Sequence, residues 1–295
     1  MPDTADQLPD LPADWPNRST SRCVIASGLR WHVQRAGTGP LVLLVHGSAG
    51  ATHTWREILP LLTPWAEVVA IDLPGHGFTT GDTPDQLSLR GMAEALRELL
   101  RVLDVHPAIG VGHSAGAAVL LQLCSSREVA PQSVIGINSA LVSLNALGQI
   151  FLPVSRALAD IGILRAGAAA LLRSGTLTRA LLRSTGSPLD PAQEARYVAL
   201  LSSERRVCAT LRMMSRWDLD ALVATFPTLT IPVTLVHSTN EPWVPFADLL
   251  RTTRTIPDRR VIDVSPAGHL IPDEQPLRVA SIIRDTFEAR PASPE

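Results

Sequence analysis

The 295-residue chain contains no lysine, so all 26 of its basic residues are arginine. That excludes Schiff-base chemistry, a P-loop lysine and a lysine general base. Cysteine is nearly as scarce. Cys23, Cys124 and Cys208 lie far apart with no C-x-x-C pair. Neither a disulfide framework nor a thiolate zinc site is expected, and a reducing compartment fits. The net charge of −2 gives no electrostatic case for nucleic acid. HExxH, a clustered Cys/His set and a GxGxxG after a strand are all missing, so neither a metal nor a dinucleotide cofactor is implied. The N-terminus, MPDTADQLPDLPADWPN, has no basic region and no apolar stretch, so it does not read as a signal peptide. Residues 1–22 are expected as a flexible tail on a cytoplasmic protein, with peripheral membrane contact left open. Residues 129–155 carry no charge, but Pro131, Asn138, Asn145, Gln149 and Pro153 interrupt them. A spanning helix needs a more continuous apolar run.

What is present is a hydrophobic content of 45%, enough for a sizeable core in one α/β domain with an insertion. CVIA and LRWHVQRA (23–26, 29–36), split by Ser27-Gly28, predict an opening hairpin. LVLLVHG (41–47) is a near-continuous apolar run, as in a strand buried on both faces. VVAIDLPGHG (68–77), AIGV (108–111), SVIGIN (133–138), VTLVHS (233–238) and RVIDVS (260–265) supply further strands. Helical stretches separate them. WREILPLLTPW has helical character, and in LRGMAEALRELLRVLDV (89–105) Met92, Leu96, Leu99, Leu100 and Leu103 share one face. The alternation predicts a mostly parallel central sheet flanked by helices. From 143 to 222 it stops, and the sequence reads as helices only: SRALADIGILRAGAAALLR, LTRALLR, PAQEARYVALLSS and CATLRMMSRWDL. The expected organisation is a core of 23–142 and 223–295 with a helical lid at 143–222. Packing helices with no covering role are the plainer alternative.

GHSAG (112–116) sits between a β-branched run and the helix formers AAVLLQLC (117–124). Strand, sharp turn, helix is the setting in which a G-x-S-x-G turn exposes its serine as a nucleophile, making Ser114 the candidate. Glycines allow the backbone to close there. A serine hydroxyl needs an adjacent base, and SPAGHL (265–270), after the last strand, offers His269. The oxyanion hole needs two backbone N–H groups, expected from Ala115 and from Ser48 in HGSAG (46–50). His46 and His76 read as loop-shaping residues. The third triad member should follow VTLVHS. Where aspartate is commonest, VHSTNEPWVP (236–245) carries Glu241, with Asn240 beside it. Glutamate can orient and charge-balance an imidazole; asparagine could only orient it. Asp263 is expected in a strand and Asp273 as the cap of the last helix.

With these residues in place the chain, over 23–290, resembles the α/β-hydrolase superfamily. DWPNRSTSR (14–22), LRWHVQRAGTGP (29–40), DLPGHGFT (72–79), GHSAGAA (112–118), TGSPLD (185–190) and MMSRWDL (213–219) resemble the magnesium-chelatase accessory proteins of bacteriochlorophyll biosynthesis. The last two fall in the inserted block, where unrelated hydrolases share little. The resemblance implies a role near magnesium insertion into protoporphyrin, in association with the chelatase, and no established reaction. The candidate residues Ser114, His269, Glu241, Ser48 and Ala115 point to an α/β-fold serine hydrolase acting on an ester or thioester of a hydrophobic compound, a tetrapyrrole being one candidate. Two alternatives stand beside it: a non-catalytic porphyrin-binding or chelatase-partner protein, and a generic carboxylesterase. Arg156, Arg165, Arg173, Arg179 and Arg183 in the block could meet tetrapyrrole propionates, although helix-face arginines are commonly just solvated.

Overall fold

The computed structural model describes residues 8, 10–125, 131–142 and 174–289. Eight strands form one sheet in the order β1-β2-β4-β3-β5-β6-β7-β8. They are β1 (Ser21–Ala26), β2 (Leu29–Ala36), β3 (Leu41–Val45), β4 (Glu67–Ile71), β5 (Ile109–His113), β6 (Val134–Ile137), β7 (Val233–Ser238) and β8 (Arg259–Val264). β1–β2 and β2–β4 pair antiparallel; every later pair is parallel. The expected hairpin and the expected mostly parallel sheet are therefore both present. The helices named below are α1 (Ile58–Leu62), α2 (Leu89–Val102), α3 (Ala115–Ser125), α4 (Thr176–Arg183), α5 (Pro191–Leu201), α6 (Glu204–Arg216), α7 (Leu219–Ala224), α8 (Phe246–Thr253), α9 (Ile271–Glu274) and α10 (Pro276–Glu288). WREILPLLTPW supplies only the short α1, preceded by a 3-10 turn over Thr52–Trp55.

The alternation of side chains along each strand divides the core in two. Leu41, Leu43 and Val45 of β3 join the cluster under α2 and α3, while Val42 and Leu44 join the one under α1 and α10. β4 splits likewise, Val69 and Ile71 against Val68 and Ala70. On β5 the residues facing α3 are glycines. A Cβ on Gly112 would lie 2.4 Å from the Ala117 nitrogen, and one on Gly110 would press on Leu120. Their absence lets α3 sit down on the strand that feeds it.

The chain runs outward from β3 in both directions, to β4 on one side and β5 on the other. The carboxyl ends of strands at such a switch point are where open α/β sheets place ligands. Helices α4 to α7 fill the gap between β6 and β7. Their C-terminal part belongs to the core: Ala209, Met213 and Leu222 are buried in the same cluster as α2 and α3. MMSRWDL is thus partly a packing segment. The helix expected over SRALADIGILRAGAAALLR, with Arg156, Arg165 and Arg173, lies outside the described residues. Arg183 is exposed, and Arg179 faces Glu194 at 3.4 Å. The expected tail is different from its reading. Leu8, Leu11 and Trp15 are buried against Ala51, Phe78 and Leu200, and the Trp15 indole donates to Thr52 Oγ1 at 3.1 Å. Three well-spaced apolar side chains are enough to hold an otherwise polar, proline-rich segment on the surface. No helix among the described residues is long and apolar enough to cross a membrane.

Candidate active site

Ser114 follows β5 directly and opens α3 with φ 49°, a left-handed conformation that is costly for a side-chain-bearing residue. Its surroundings impose that conformation. Its N–H donates to the Ile137 carbonyl at 2.8 Å, and its own carbonyl accepts from Ala117 and Ala140. A Cβ on Gly116 would meet the Val45 carbonyl at 2.2 Å, so the helix can start here only without one. Strand, strained turn and helix are the context that the sequence demanded of GHSAG.

The loop after β3 lies against this elbow. A Cβ on Gly47 would come within 3.0 Å of Ser114 Cβ. The loop's shape is held by His46: Leu73 N–H donates to Nε2 at 3.0 Å, so the proton sits on Nδ1, which donates to the Gly47 carbonyl at 2.7 Å. Burial lowers the pKa of this ring and keeps it neutral. Ser48 is the next residue, in a tight turn closed by Gly50 N–H to the Gly47 carbonyl. No acceptor among the described residues takes the Ser48 N–H. Ala115 is the first residue of α3, where an N–H has no partner within the helix. His76, the other loop histidine, donates from Nδ1 to the Pro74 carbonyl at 3.0 Å and has Thr210 Oγ1 3.3 Å from Nε2, again within loop packing.

Glu241 and His269 come together from the loops after β7 and β8. Glu241 Oε2 accepts from His269 Nδ1 at 2.6 Å, with both side chains buried. The Trp243 and Val244 N–H groups donate to Oε1 at 2.6 and 3.1 Å, so the carboxylate is oriented on both oxygens. With the proton on Nδ1, Nε2 is left as the ring's basic atom. Trp243 lies 4.8 Å from the His269 ring, centroid to centroid, and is partly exposed. The other acids are elsewhere. Asp263 is exposed in β8, as expected of a strand residue. Asp273 does not cap the last helix. It is buried in α9, where it receives Arg56 and the Tyr197 hydroxyl, and Gln275 takes the capping position of α10. Asn240 donates its backbone N–H to the Ala267 carbonyl.

Several residues that the motifs did not single out hold the His269 loop. Asn138, itself at φ 41°, donates from Nδ2 to the carbonyls of Gly268 (3.1 Å) and His269 (2.9 Å) and to Ser238 Oγ. Ser238 Oγ donates to the Gly268 carbonyl at 2.6 Å. His113, the residue before Ser114, reaches the His269 carbonyl with Nε2 at 2.9 Å, and burial lowers its pKa to about 3. These partners are 30 to 156 residues away from the loop in sequence. No local signal could have found them. Among the described residues no group of histidine, cysteine and acidic side chains is placed to hold a metal ion.

The alpha/beta hydrolase family model matches residues 42–282. The chain belongs to that family. It is 33% identical over 281 residues to the magnesium-chelatase 30 kDa subunit of Rhodobacter capsulatus, covering 94% of this chain and 98% of that one. It is 26% identical to a 2-(acetamidomethylene)succinate hydrolase of Mesorhizobium japonicum, over 96% of this chain and the whole of the other. A crystal structure of an alpha/beta hydrolase fold protein from Burkholderia ambifaria superposes with a TM-score of 0.74 at 20% identity, covering 90% of this chain and 99% of that one. That last likeness shows the shared fold alone.

Proposed function

We propose that this α/β hydrolase is a serine hydrolase acting on an ester or thioester of a hydrophobic compound, in the magnesium-chelatase accessory role of bacteriochlorophyll biosynthesis. The observation that carries the chemistry is the Glu241–His269 contact at 2.6 Å, on a loop gripped by His113, the residue before a serine held at φ 49°. Similarity to the chelatase subunit over nearly the whole of both chains supports the setting.

In this reading Ser114 Oγ attacks the acyl carbon while His269 Nε2 takes its proton. The Ser48 and Ala115 N–H groups hold the resulting oxyanion. His269 then gives the proton to the leaving group, and water repeats the sequence to free Ser114. Glu241 fixes the tautomer of His269 and balances the imidazolium charge. In the same proposal the insertion serves as a lid, and the substrate is apolar, a tetrapyrrole ester being one candidate. A serine at the elbow disfavours the aspartyl-ester route of dehalogenases and epoxide hydrolases. A carboxylate at position 241 favours turnover over a carrier role, since a carrier has no use for an oriented imidazole.

Intact-mass labelling with a fluorophosphonate tests the proposal. The expected result is one adduct on the wild-type protein and none on Ser114→Ala. A folded wild type that stays unlabelled would sink the enzyme reading, and a porphyrin-binding titration would then measure the carrier alternative.

A further inference from the structure

The motif TGSPLD (185–190) belongs to the insertion, yet three of its residues, Thr185, Gly186 and Ser187, bear on the loop that carries His269. The Thr185 carbonyl accepts the His269 N–H at 2.8 Å. Ser187 Oγ accepts the Leu270 N–H at 2.8 Å and donates to Glu274 Oε1 at 2.5 Å. Glu274 in turn accepts the Gly268 N–H on both oxygens, at 2.9 and 3.2 Å. Gly186, at φ 71°, packs on Gly268 so closely that a Cβ there would lie 2.5 Å from the Gly186 carbonyl carbon. Asp190 ends the motif as the cap of α5, in a reciprocal capping box with Gln193 and with Pro191 behind it. Such a box fixes where the helix starts.

Three consecutive peptide N–H groups, 268 to 270, are therefore bound by the insertion and by Glu274. The carbonyls of 268 and 269 are bound from the other side by Asn138, Ser238 and His113. The carbonyl edge of this strip of backbone is held from the sheet, and the N–H edge by the insertion together with Glu274 of α9. Thr185 and Ser187 are buried, so water cannot readily replace them.

We propose that Ser187 and Glu274 are positioning residues, through which the docked insertion sets the register of His269 relative to Ser114. This rests on His269 being the base. The insertion then completes the catalytic machinery as well as covering it. Without the Ser187 hydroxyl the Leu270 N–H loses its acceptor and Glu274 Oε1 loses one of its two donors, leaving the Thr185 carbonyl to hold the loop from the insertion side.

The test pairs two readouts on the full chain. The rate of fluorophosphonate labelling is measured for wild type, Ser187→Ala, Ser187→Thr and Glu274→Gln at a temperature where all are folded. Hydrogen exchange at the 268–270 amides and of the His269 Nδ1 proton is followed by NMR in the same proteins. We expect labelling slowed about tenfold in Ser187→Ala and Glu274→Gln, the effect of one buried hydrogen bond. Exchange at 268–270 should quicken by a similar factor, while Ser187→Thr restores both. Labelling of Ser187→Ala at the wild-type rate, or unchanged exchange at 268–270, would overturn the proposal. If the wild type does not label at all, the hydrolase reading fails. The exchange data still decide whether the insertion holds the loop: unchanged protection in Ser187→Ala overturns the clamp as well.

Discussion

Two histidine–carboxylate pairs lie in this molecule with nearly the same geometry and opposite settings. His269 Nδ1 meets Glu241 at 2.6 Å; His32 Nδ1 meets Asp72 at 2.7 Å. The second pair even has its serine, since Ser21 Oγ lies 2.9 Å from His32 Nε2. On distances alone Ser21–His32–Asp72 is a triad. Its backbone says otherwise. Ser21 is an ordinary extended residue with φ −75°, whereas Ser114 is held at φ 49° at the start of a helix. Ser21 also accepts from Gln34, and all three members are buried within the sheet edge and its loops. Ser21 opens β1, a strand, rather than a helix. The comparison teaches that the hydrogen-bonded chain is the transferable part of a triad. The strained turn and the donors around it are what could make such a chain reactive.

The His32–Asp72 pair does different work. Asp72 accepts the Thr52 N–H at 2.6 Å and the Phe78 N–H at 2.8 Å besides His32. It ties the loop after β3 to the loop after β4. Burial alone would raise its pKa, but His32 and the N–H donors outweigh that and hold it at about 2. Gly77, at φ 48°, leaves the room this carboxylate needs, because a Cβ there would lie 2.0 Å from it.

Substitutions at matching positions should therefore separate the pairs. The largest effect is expected from Glu241→Gln, which should slow fluorophosphonate labelling by up to about 10⁴-fold while thermal stability changes little. Comparable labelling rates in the two proteins would mean that Glu241 is not the triad acid. Asp72→Ala should do the reverse. Loss of a buried charge partner costs about 3–5 kcal/mol, read as a lower urea midpoint, with the folded fraction still labelling. A urea midpoint unchanged from wild type would remove Asp72 from its structural role.

Acid should act next, through histidines outside both pairs. His53, His76 and His113 are pushed by burial to about 3. The unfolded chain protonates them near 6.5 and the folded chain does not. The stability they contribute is thus full above that pH and is lost as pH falls toward 3. At pH 5 the loss is about 2 kcal/mol per histidine. The Asp72 contribution has its own window, present above about 3.8 and lost as pH falls toward 2. Thermal melts between pH 7.5 and 5 should show a steep fall in the wild type, with the Asp72→Ala difference constant across that range. A flat melting profile would contradict the buried neutral histidines. The smallest effect belongs to Ser21→Ala, about 1 kcal/mol for one hydrogen bond with labelling unaffected. Slowed labelling there would show that the two pairs are coupled.

Much of the fold is legible in the sequence, because its elements carry strong local patterns. The run LVLLV could only be a strand covered on both faces, and β7 falls on VTLVHS residue for residue. GHSAG named a serine whose turn, strand and helix all follow from its neighbours. Glu241 was legible as the expected acid partner of His269 from its place just beyond a late strand. The tail was misread because composition outweighed three spaced apolar residues, Leu8, Leu11 and Trp15. Asp273 was misread as a cap because its partners, Arg56 and Tyr197, come from distant segments.

The sequence by itself determined the order of strands and helices, the elbow at Ser114, and the absence of lysine chemistry. These depend on residues within a few positions of one another, where sterics and periodicity act. Only the tertiary structure decided which histidine meets which carboxylate, and that Asn138, His113 and Ser187 grip the His269 loop. A hydrogen bond between residues 156 apart leaves no local trace, since it exists only once the sheet has brought their strand ends together.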